Sequence, residues 1–448
     1  MKKILSLLSC NIVLDALALG ALMAFCNTVV AQPESFVIKD ASANYSFNTK
    51  VRYVNDTLAV GYFEDHSKGY FMLINLNSAT ITHKVGINLY RMFVRDFRVL
   101  GDTVYACGTR WSLFNEKGFI MKFNIDLIRT GSSSKEYAKY VSIDSTYELS
   151  RMVVYHNNML GLNEVVAIGE GPANDSRARI VDCKSASSAN YKVRRGYSSG
   201  SFNEYLDDVV LTNNYVGFIG SFGNNTTMLR RARRNSIDIL TGIIDTIRYY
   251  EHPDTEPGSK IHATESRGDS IVAACYAVTS SGEYVTRVRH YELPGLGMLD
   301  SKEIYTIDKT EPWELAYNRQ YKTYLMLEHL PYMSSPTHFE TQVVTERVAG
   351  TNSVETYFIP DLAMSSIASS PNGNHFMLAA GSYFALKKVW ATPSVSCFDS
   401  ASISREPIFP FRYMLLYDYP YYRGYDAEWV NVGLNTIIPI SEQQCLNN

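Results

Sequence analysis

Leu100 to Gly108 read Leu-Gly-Asp-Thr-Val-Tyr-Ala-Cys-Gly, a tight turn followed by an apolar strand. Nearly the same phrase stands earlier, at Val54 to Gly61, and looser versions recur to the end of the chain. An internal repeat constrains the fold more than any local propensity, because a unit that cannot bury its own apolar face must stack on copies of itself. Residues that tolerate positive φ, or that bond their own backbone, mark the recurrences at Asp56, Asp102, Asn158, Asn214, Asp269 and Asn374. Lys322 holds the sixth position without that chemistry. Neighbouring turns lie about 46 to 56 residues apart, the length of one sheet of four short strands.

Each turn leads into an apolar run, among them Thr57 to Gly61, Val104 to Gly108, Tyr215 to Gly220, Ile271 to Tyr276, Tyr324 to Leu327 and Phe376 to Gly381. Such runs suit strands covered on both faces. A third strand follows, as at Tyr70 to Asn75, and fourth strands such as Ala79 to Val85 or Val354 to Ile359 read as the most exposed. No long amphipathic helix and no linker rich in Pro, Gly or Ser interrupts the series. The expected fold class is therefore all-β: a seven-bladed β-propeller of four-stranded antiparallel blades over residues 32–417, with 418–448 as a C-terminal tail or extra hairpin packed on the ring. Either Phe36 to Lys39 or Tyr413 to Tyr417 supplies the strand that closes the ring. In repeat period and strand count the chain resembles secreted bacterial β-propeller proteins in general, over about residues 33–417. It lacks a WD dipeptide series, the paired glycines of kelch motifs and the sialidase box. The resemblance implies a fold and no activity.

The first 31 residues read as a secretory signal: Lys2 and Lys3 precede a mostly apolar run, and Val29 and Ala31 are the small residues expected before cleavage at Gln32. The expected location is thus secreted, periplasmic or cell-surface, with no integral membrane segment after cleavage. A formal charge of −3 gives no basic field for nucleic acid. Removing the signal leaves five cysteines, an odd set, of which Cys397 and Cys445 are the candidate disulfide while Cys107 and Cys275 lie in apolar strands. No metal-ligand spacing and no cofactor fingerprint is present, so no cofactor is expected.

Counting back seven residues from each turn names a ring at one mouth of the channel: Thr49, Arg95, Arg151, Asp207, His262, Leu315 and Ile367. Asp96, Asp208 and Glu314 lie one residue away. Arg forks and carboxylates there suit an anion, a sugar or a peptide end, or else pair with one another across a wet channel. On the loops of the same face Trp111 is the most suggestive residue, as a stacking platform or as a cap on the edge of its own sheet. The expected binding residues are Arg95, Asp96, Arg151, Asp207, Asp208, His262, Glu314 and Trp111, and the expected partner is a glycan, peptide or protein. Two other readings stand beside this one: a glycan-active hydrolase or lyase using Asp207, Asp208, Glu314 or His262, and a structural subunit of an envelope complex. The Arg230, Arg231, Arg233 and Arg234 run reads as a solvated strand or loop, and Arg267-Gly268-Asp269 as turn chemistry.

Overall fold

The computed structural model describes residues 37–444 apart from 41–47, 66–67, 90, 112–115, 133–136, 173–177, 186–188, 197, 200–201, 223–225, 242, 244–245, 252–260, 267, 279–280, 306–310, 319–322, 330–340, 348–353, 360–363, 374, 381–384, 391–398, 401–402, 406–411, 416–421 and 438–440. The signal segment, Lys322 and the Cys397–Cys445 pairing lie outside the described residues.

The tight turns form as their residues dictate. Asn55 Oδ1 accepts the Thr57 N–H at 2.9 Å, and Gly101 adopts φ 58°, a conformation open to glycine without a Cβ penalty. The apolar runs beside these turns pair antiparallel. In sheet I, Thr49–Asn55, Leu58–Glu64, Gly69–Asn75 and Thr80–Ile87 follow one another. Six more sheets repeat that order, opened by Met92–Leu100 (II), Glu148–Asn157 (III), Phe202–Leu211 (IV), His262–Glu265 (V), Glu311–Asn318 (VI) and Met364–Ser369 (VII). Each opening strand touches that of the next sheet, and Met364–Ser369 touches Thr49–Asn55, so the contacts return to their start. The single helix among the described residues is Asp126–Thr130.

The core lies between successive sheets. Phe71 of sheet I packs edge-on against Phe97 and Phe123 of sheet II, with centroids at 5.7 and 5.0 Å. Comparable buried clusters join II to III, III to IV, IV to V and VII to I. Burying an aromatic ring of this kind contributes about 3–5 kcal/mol, judged by the usual cost of truncation to alanine. Cys107, Cys183 and Cys275 are buried within these layers and form no disulfide.

The expectation of four strands per sheet is corrected to five, and to six in sheet IV. The sixth strand of sheet IV is Ser198–Ser199, beside Phe202–Leu211; the added strand in every sheet comes from the C-terminal segment. Asp399–Ser400 pairs with Val354–Ile359 of sheet VI, Ile403–Arg405 with Gly297–Tyr305 of V, and Arg412–Leu415 with Thr246–Glu251 of IV. Tyr422–Ala427 then pairs with Ala189–Arg195 of III, Val430–Val432 with Ala138–Ile143 of II, and Leu434–Ile437 with Thr80–Ile87 of I. Finally Ser441–Gln444 pairs with Val37–Asp40, which is itself the fourth strand of sheet VII through Ala385–Trp390. Of the two candidates for that strand, the N-terminal one takes the place, and Arg412–Leu415 instead joins sheet IV. The segment visits the sheets in descending order and lays a strand on each outer edge, where a bare strand would present unpaired N–H and C=O groups. Its apolar residues are buried as well: Val432 and Leu434 enter the cluster between sheets I and II, and Trp429 packs on the cluster between II and III beneath the Lys122 ammonium.

Candidate binding site

The opening strands converge on one axis, and five of them bulge at the same place. Their pairing slips by one residue at Val94/Asp96, Leu149/Arg151, Leu206/Asp208, Pro312/Glu314 and Met364/Ser366. A bulge brings its strand close to the partner, and in sheets II, III and IV the partner residue is glycine. A Cβ at Gly108, Gly169 or Gly220 would stand 1.9 to 2.0 Å from a carbonyl oxygen of the bulged strand.

The residues just past the bulges form the channel ring: Asp96, Arg151, Asp208, Glu314 and Ser366, with Lys50 and His262 at the matching positions of sheets I and V. A shared hydrogen bond establishes the match. Asp96 accepts the N–H of Met152, one residue beyond Arg151, at 3.1 Å. Asp208 accepts that of Ala263, one beyond His262, at 2.9 Å. Glu314 accepts that of Ile367, one beyond Ser366, at 3.2 Å, and the Ser366 hydroxyl accepts that of Val51, one beyond Lys50, at 3.3 Å. Each ring acceptor therefore ties its sheet to the next.

Cations bind the acceptors from inside the channel. Arg52 Nη2 lies 3.0 Å from both Asp96 and Glu314, Arg98 clasps Asp96 at 3.2 and 3.3 Å, and Lys50 stands 3.5 Å from Glu314. Burial opposes the charge of Glu314, but Lys50 and Arg52 outweigh it and hold the carboxyl well below its ordinary range. Burial likewise opposes Asp96, which Arg98 and Arg52 keep below the usual value. For Asp208 burial wins over Arg151 and the Ala263 N–H, and its carboxyl is raised. Burial lowers Lys50 to about 8. Arg151 donates to Nδ1 of His262 at 3.2 Å; since a guanidinium only donates, His262 is neutral there and carries its proton on Nε2.

Five of the eight residues expected from sequence thus share this ring: Asp96, Arg151, Asp208, His262 and Glu314. The other three lie apart. Arg95, a bulge residue, bridges Glu64 at 3.6 Å and Glu148 at 3.2 Å toward the face opposite the tight turns. Beside it, burial raises the Glu64 carboxyl to about 7 against the pull of Arg95. Asp207 is half-buried and accepts the Ile261 N–H at 3.3 Å. Trp111 is 39% exposed, edge-on to Phe93 at 5.7 Å and under the Arg91 guanidinium at 5.9 Å, at the end of its own strand. Sequence reasoning missed Lys50, Arg52, Arg98 and Ser366. The alternation Lys50-x-Arg52 and Asp96-x-Arg98, which puts each pair on one face of a strand, was the available signal.

The basic run is corrected too. Arg230 is buried in a two-bonded pair with Glu204 at 2.8 and 2.9 Å, while Arg231 and Arg234 stack on Tyr215 and Tyr155. Asp269 accepts bonds from Thr212 and Asn214 of the neighbouring sheet, so that aspartate serves the turn. Among the described residues no cluster of His, Cys, Asp or Glu is arranged to hold a metal ion, and no helix is long and apolar enough to cross a membrane.

No protein-family model and no curated protein matches the chain. Among solved structures it is similar to the β-propeller domain of Cps50 (Swd1) from Myceliophteria thermophila, with a TM-score of 0.50 and 10% identity, over 79% of this chain and 100% of that one. At that identity the likeness shows the fold alone: the chain is an all-β protein of the β-propeller kind.

Proposed function

We propose that the chain is a closed seven-bladed propeller, exported by its first 31 residues, that works outside the cytoplasm as a protein-interaction scaffold and not as an enzyme. The observation that carries this reading is the use to which the channel carboxylates are put. A general acid working near neutral pH needs a carboxyl raised toward 7 and free to reach substrate. Asp96 and Glu314 are displaced the other way. Asp208 is raised, but its two oxygens accept the Val209 and Ala263 N–H groups, and Glu64, raised to about 7, is buried against the Tyr62 hydroxyl and Arg95. These side chains join neighbouring strands, as a rigid scaffold requires. The partner surface lies on the face opposite the tight turns, where Trp111 is exposed beside Arg91; Trp and Arg are the residue types that most often dominate protein interfaces.

The test is crosslinking of the tagged mature chain to cell-envelope proteins, with Trp111→Ala and Arg91→Ala compared against wild type. Loss of the same crosslinked protein in both variants supports the reading, and its retention in both refutes the face. Release of reducing ends from envelope polysaccharide, abolished by Asp208→Asn, overturns the non-enzymatic reading.

A further inference from the structure

Sheet III buries two carboxyls with too few donors between them. Glu164 of Leu162–Glu170 and Asp182 of Ala178–Ser185 are 0% and 1% exposed. Asp182 pairs with Val166, and Glu164 with Lys184. The two acids therefore stand diagonally on one face, the one whose Val166, Ile168 and Ile180 pack against sheet IV. Glu164 Oε2 accepts the Tyr155 hydroxyl at 2.7 Å and the Asn157 amide at 2.6 Å. Glu164 Oε1 and both oxygens of Asp182 find no such donor, although the two carboxyls lie within hydrogen-bond reach of each other. One proton removes the conflict, because a protonated carboxyl donates. Held on Asp182 and given to Glu164 Oε1, it joins two of the three orphaned oxygens. The third becomes the carbonyl oxygen of a neutral acid, far cheaper to bury than a charge. Burial, and then the charge of Glu164, raise the Asp182 carboxyl well above its ordinary value.

No described cation is paired with either acid. Lys184, two residues beyond Asp182, gives its ammonium to the Ile237 carbonyl at 2.7 Å, and Lys192, across from Asp182, pairs with Asp238. Arg194, level with Ile180, faces the same layer. From sheet IV, Arg230 is committed to Glu204 by two bonds, and Arg234 lies over the Tyr155 ring at 5.3 Å.

Asn157 connects the acid pair to the surface. The amide that bonds Glu164 also bonds the Ser236 carbonyl at 2.9 Å, and Asn157 Oδ1 accepts the Met159 and Leu160 N–H groups. The Asn158 N–H reaches Asn235 Oδ1 at 3.1 Å. The tight turn of sheet III and a loop of sheet IV are thus fastened to each other and to Glu164. Each presents an exposed apolar side chain, Met159 on the turn and Ile237 on the loop. We propose that the proton held between Asp182 and Glu164 is a lock on this face: while it is in place, turn 157–161 and loop 235–241 stay joined, and its loss in alkaline solution sets two carboxylates against each other and parts them. The lock is at the opposite end of the sheets from Trp111 and does not rest on partner binding there.

The first test is urea unfolding, from pH 5 to 7, of the mature chain and of Asp182→Asn, whose amide can donate to the same oxygen and cannot ionise. Because the folded-state value of Asp182 is raised, wild-type stability is fully present below the unfolded pKa of about 3.9 and falls as pH rises toward the folded one. The folding constant of Asp182→Asn relative to wild type should therefore rise about tenfold per pH unit; Lys184, Lys192, Arg234 and Asp238 cancel, since both proteins keep them. A ratio that does not change with pH means that Asp182 is ionised in the folded chain and overturns the proposal. Should Asp182→Asn fail to fold, Asp182→Ser takes its place, because the hydroxyl can donate and the reading is the trend with pH, not the absolute stability. The second test is hydrogen exchange, corrected for the intrinsic effect of pH. Wild type should lose protection in 157–161 and 235–241 between pH 7 and 10, while the layer between sheets I and II keeps it. Protection retained to pH 10 in wild type, or lost equally in Asp182→Asn, overturns the lock.

Discussion

Glu314→Gln removes one charge from the centre of the ring and isolates two. Lys50 is 4% exposed and stands 3.5 Å from the lost carboxylate; Arg52, at 3.0 Å, keeps only Asp96, which it shares with Arg98. Breaking a buried ion pair by deleting one partner costs about 3–5 kcal/mol, because the remaining charge is left uncompensated. We expect a loss of that size in urea unfolding at pH 7. Lys50→Met in the Glu314→Gln background should recover about half of it, since one of the two stranded cations is then gone. The pH dependence has a definite sign. The folded-state pKa of Glu314 lies below its ordinary value, so its contribution is fully present above the unfolded value of about 4.3 and is lost as pH falls toward the folded one. The gap between wild type and Glu314→Gln should therefore shrink on acidification from pH 6 to 3. A loss below about 1 kcal/mol at pH 7, the size of an exposed pair, or a gap that widens in acid, would refute the view that these charges hold the sheets together.

Glu64 should behave in the opposite sense. Its carboxyl is held at about 7 in place of 4.5, so the folded state binds the extra proton and wild-type stability falls as pH rises through that window; Glu64→Gln should match wild type below about pH 4 and exceed it by up to about 3 kcal/mol at pH 8 in denaturant titrations. Gly108→Ala places a Cβ 1.9 Å from the Phe93 carbonyl oxygen and should cost about 3 kcal/mol or more, whereas Gly101→Ala, whose Cβ meets open space, should cost only the smaller penalty of its positive φ; equal losses in thermal melts would sink the bulge argument. Truncation after residue 398 removes a strand from each of the seven sheets and should lower the melting temperature and yield soluble oligomers on size-exclusion chromatography. A monomer melting like wild type would mean the belt contributes nothing.

The repeat itself was legible because its turn chemistry is local. Asn55 and Gly101 act within three residues of themselves, so turns are readable wherever such residues recur. The ring was legible only to within one residue. Counting back seven named Arg95, Asp207, Leu315 and Ile367, and the residues facing the channel are Asp96, Asp208, Glu314 and Ser366. The cause is the bulge, which inserts an extra residue into the opening strand and so shifts which residue turns toward the channel. Trp111 had two readings, platform or cap, and the structure gives it features of both: it packs on Phe93 and stays 39% exposed. The path of the belt from sheet to sheet was not legible. Its strands are two to six residues long, too short for alternation to separate them from loop, and each is specified by an edge far away in the chain.

The ring residues also explain one another. Each strand-to-strand tie needs an acceptor at the ring position, but seven carboxylates around one narrow channel would repel strongly at the low dielectric of its wall. Alternating acceptors with cations solves this: Lys50, Asp96, Arg151 and Asp208 follow one another in sheets I to IV. An odd-membered ring cannot alternate throughout, and the break falls around Glu314, whose neighbours are the neutral His262 and Ser366. Ser366 still ties its sheet to the next, through a hydroxyl that accepts without adding charge. Glu314, deprived of cations on either side, draws them from sheet I, where Lys50 and Arg52 reach past Ser366. That reach commits the cations of sheet I to Glu314, while Arg151, next to neutral His262, draws on the carboxylates of Asp208, Glu314 and Asp96 together.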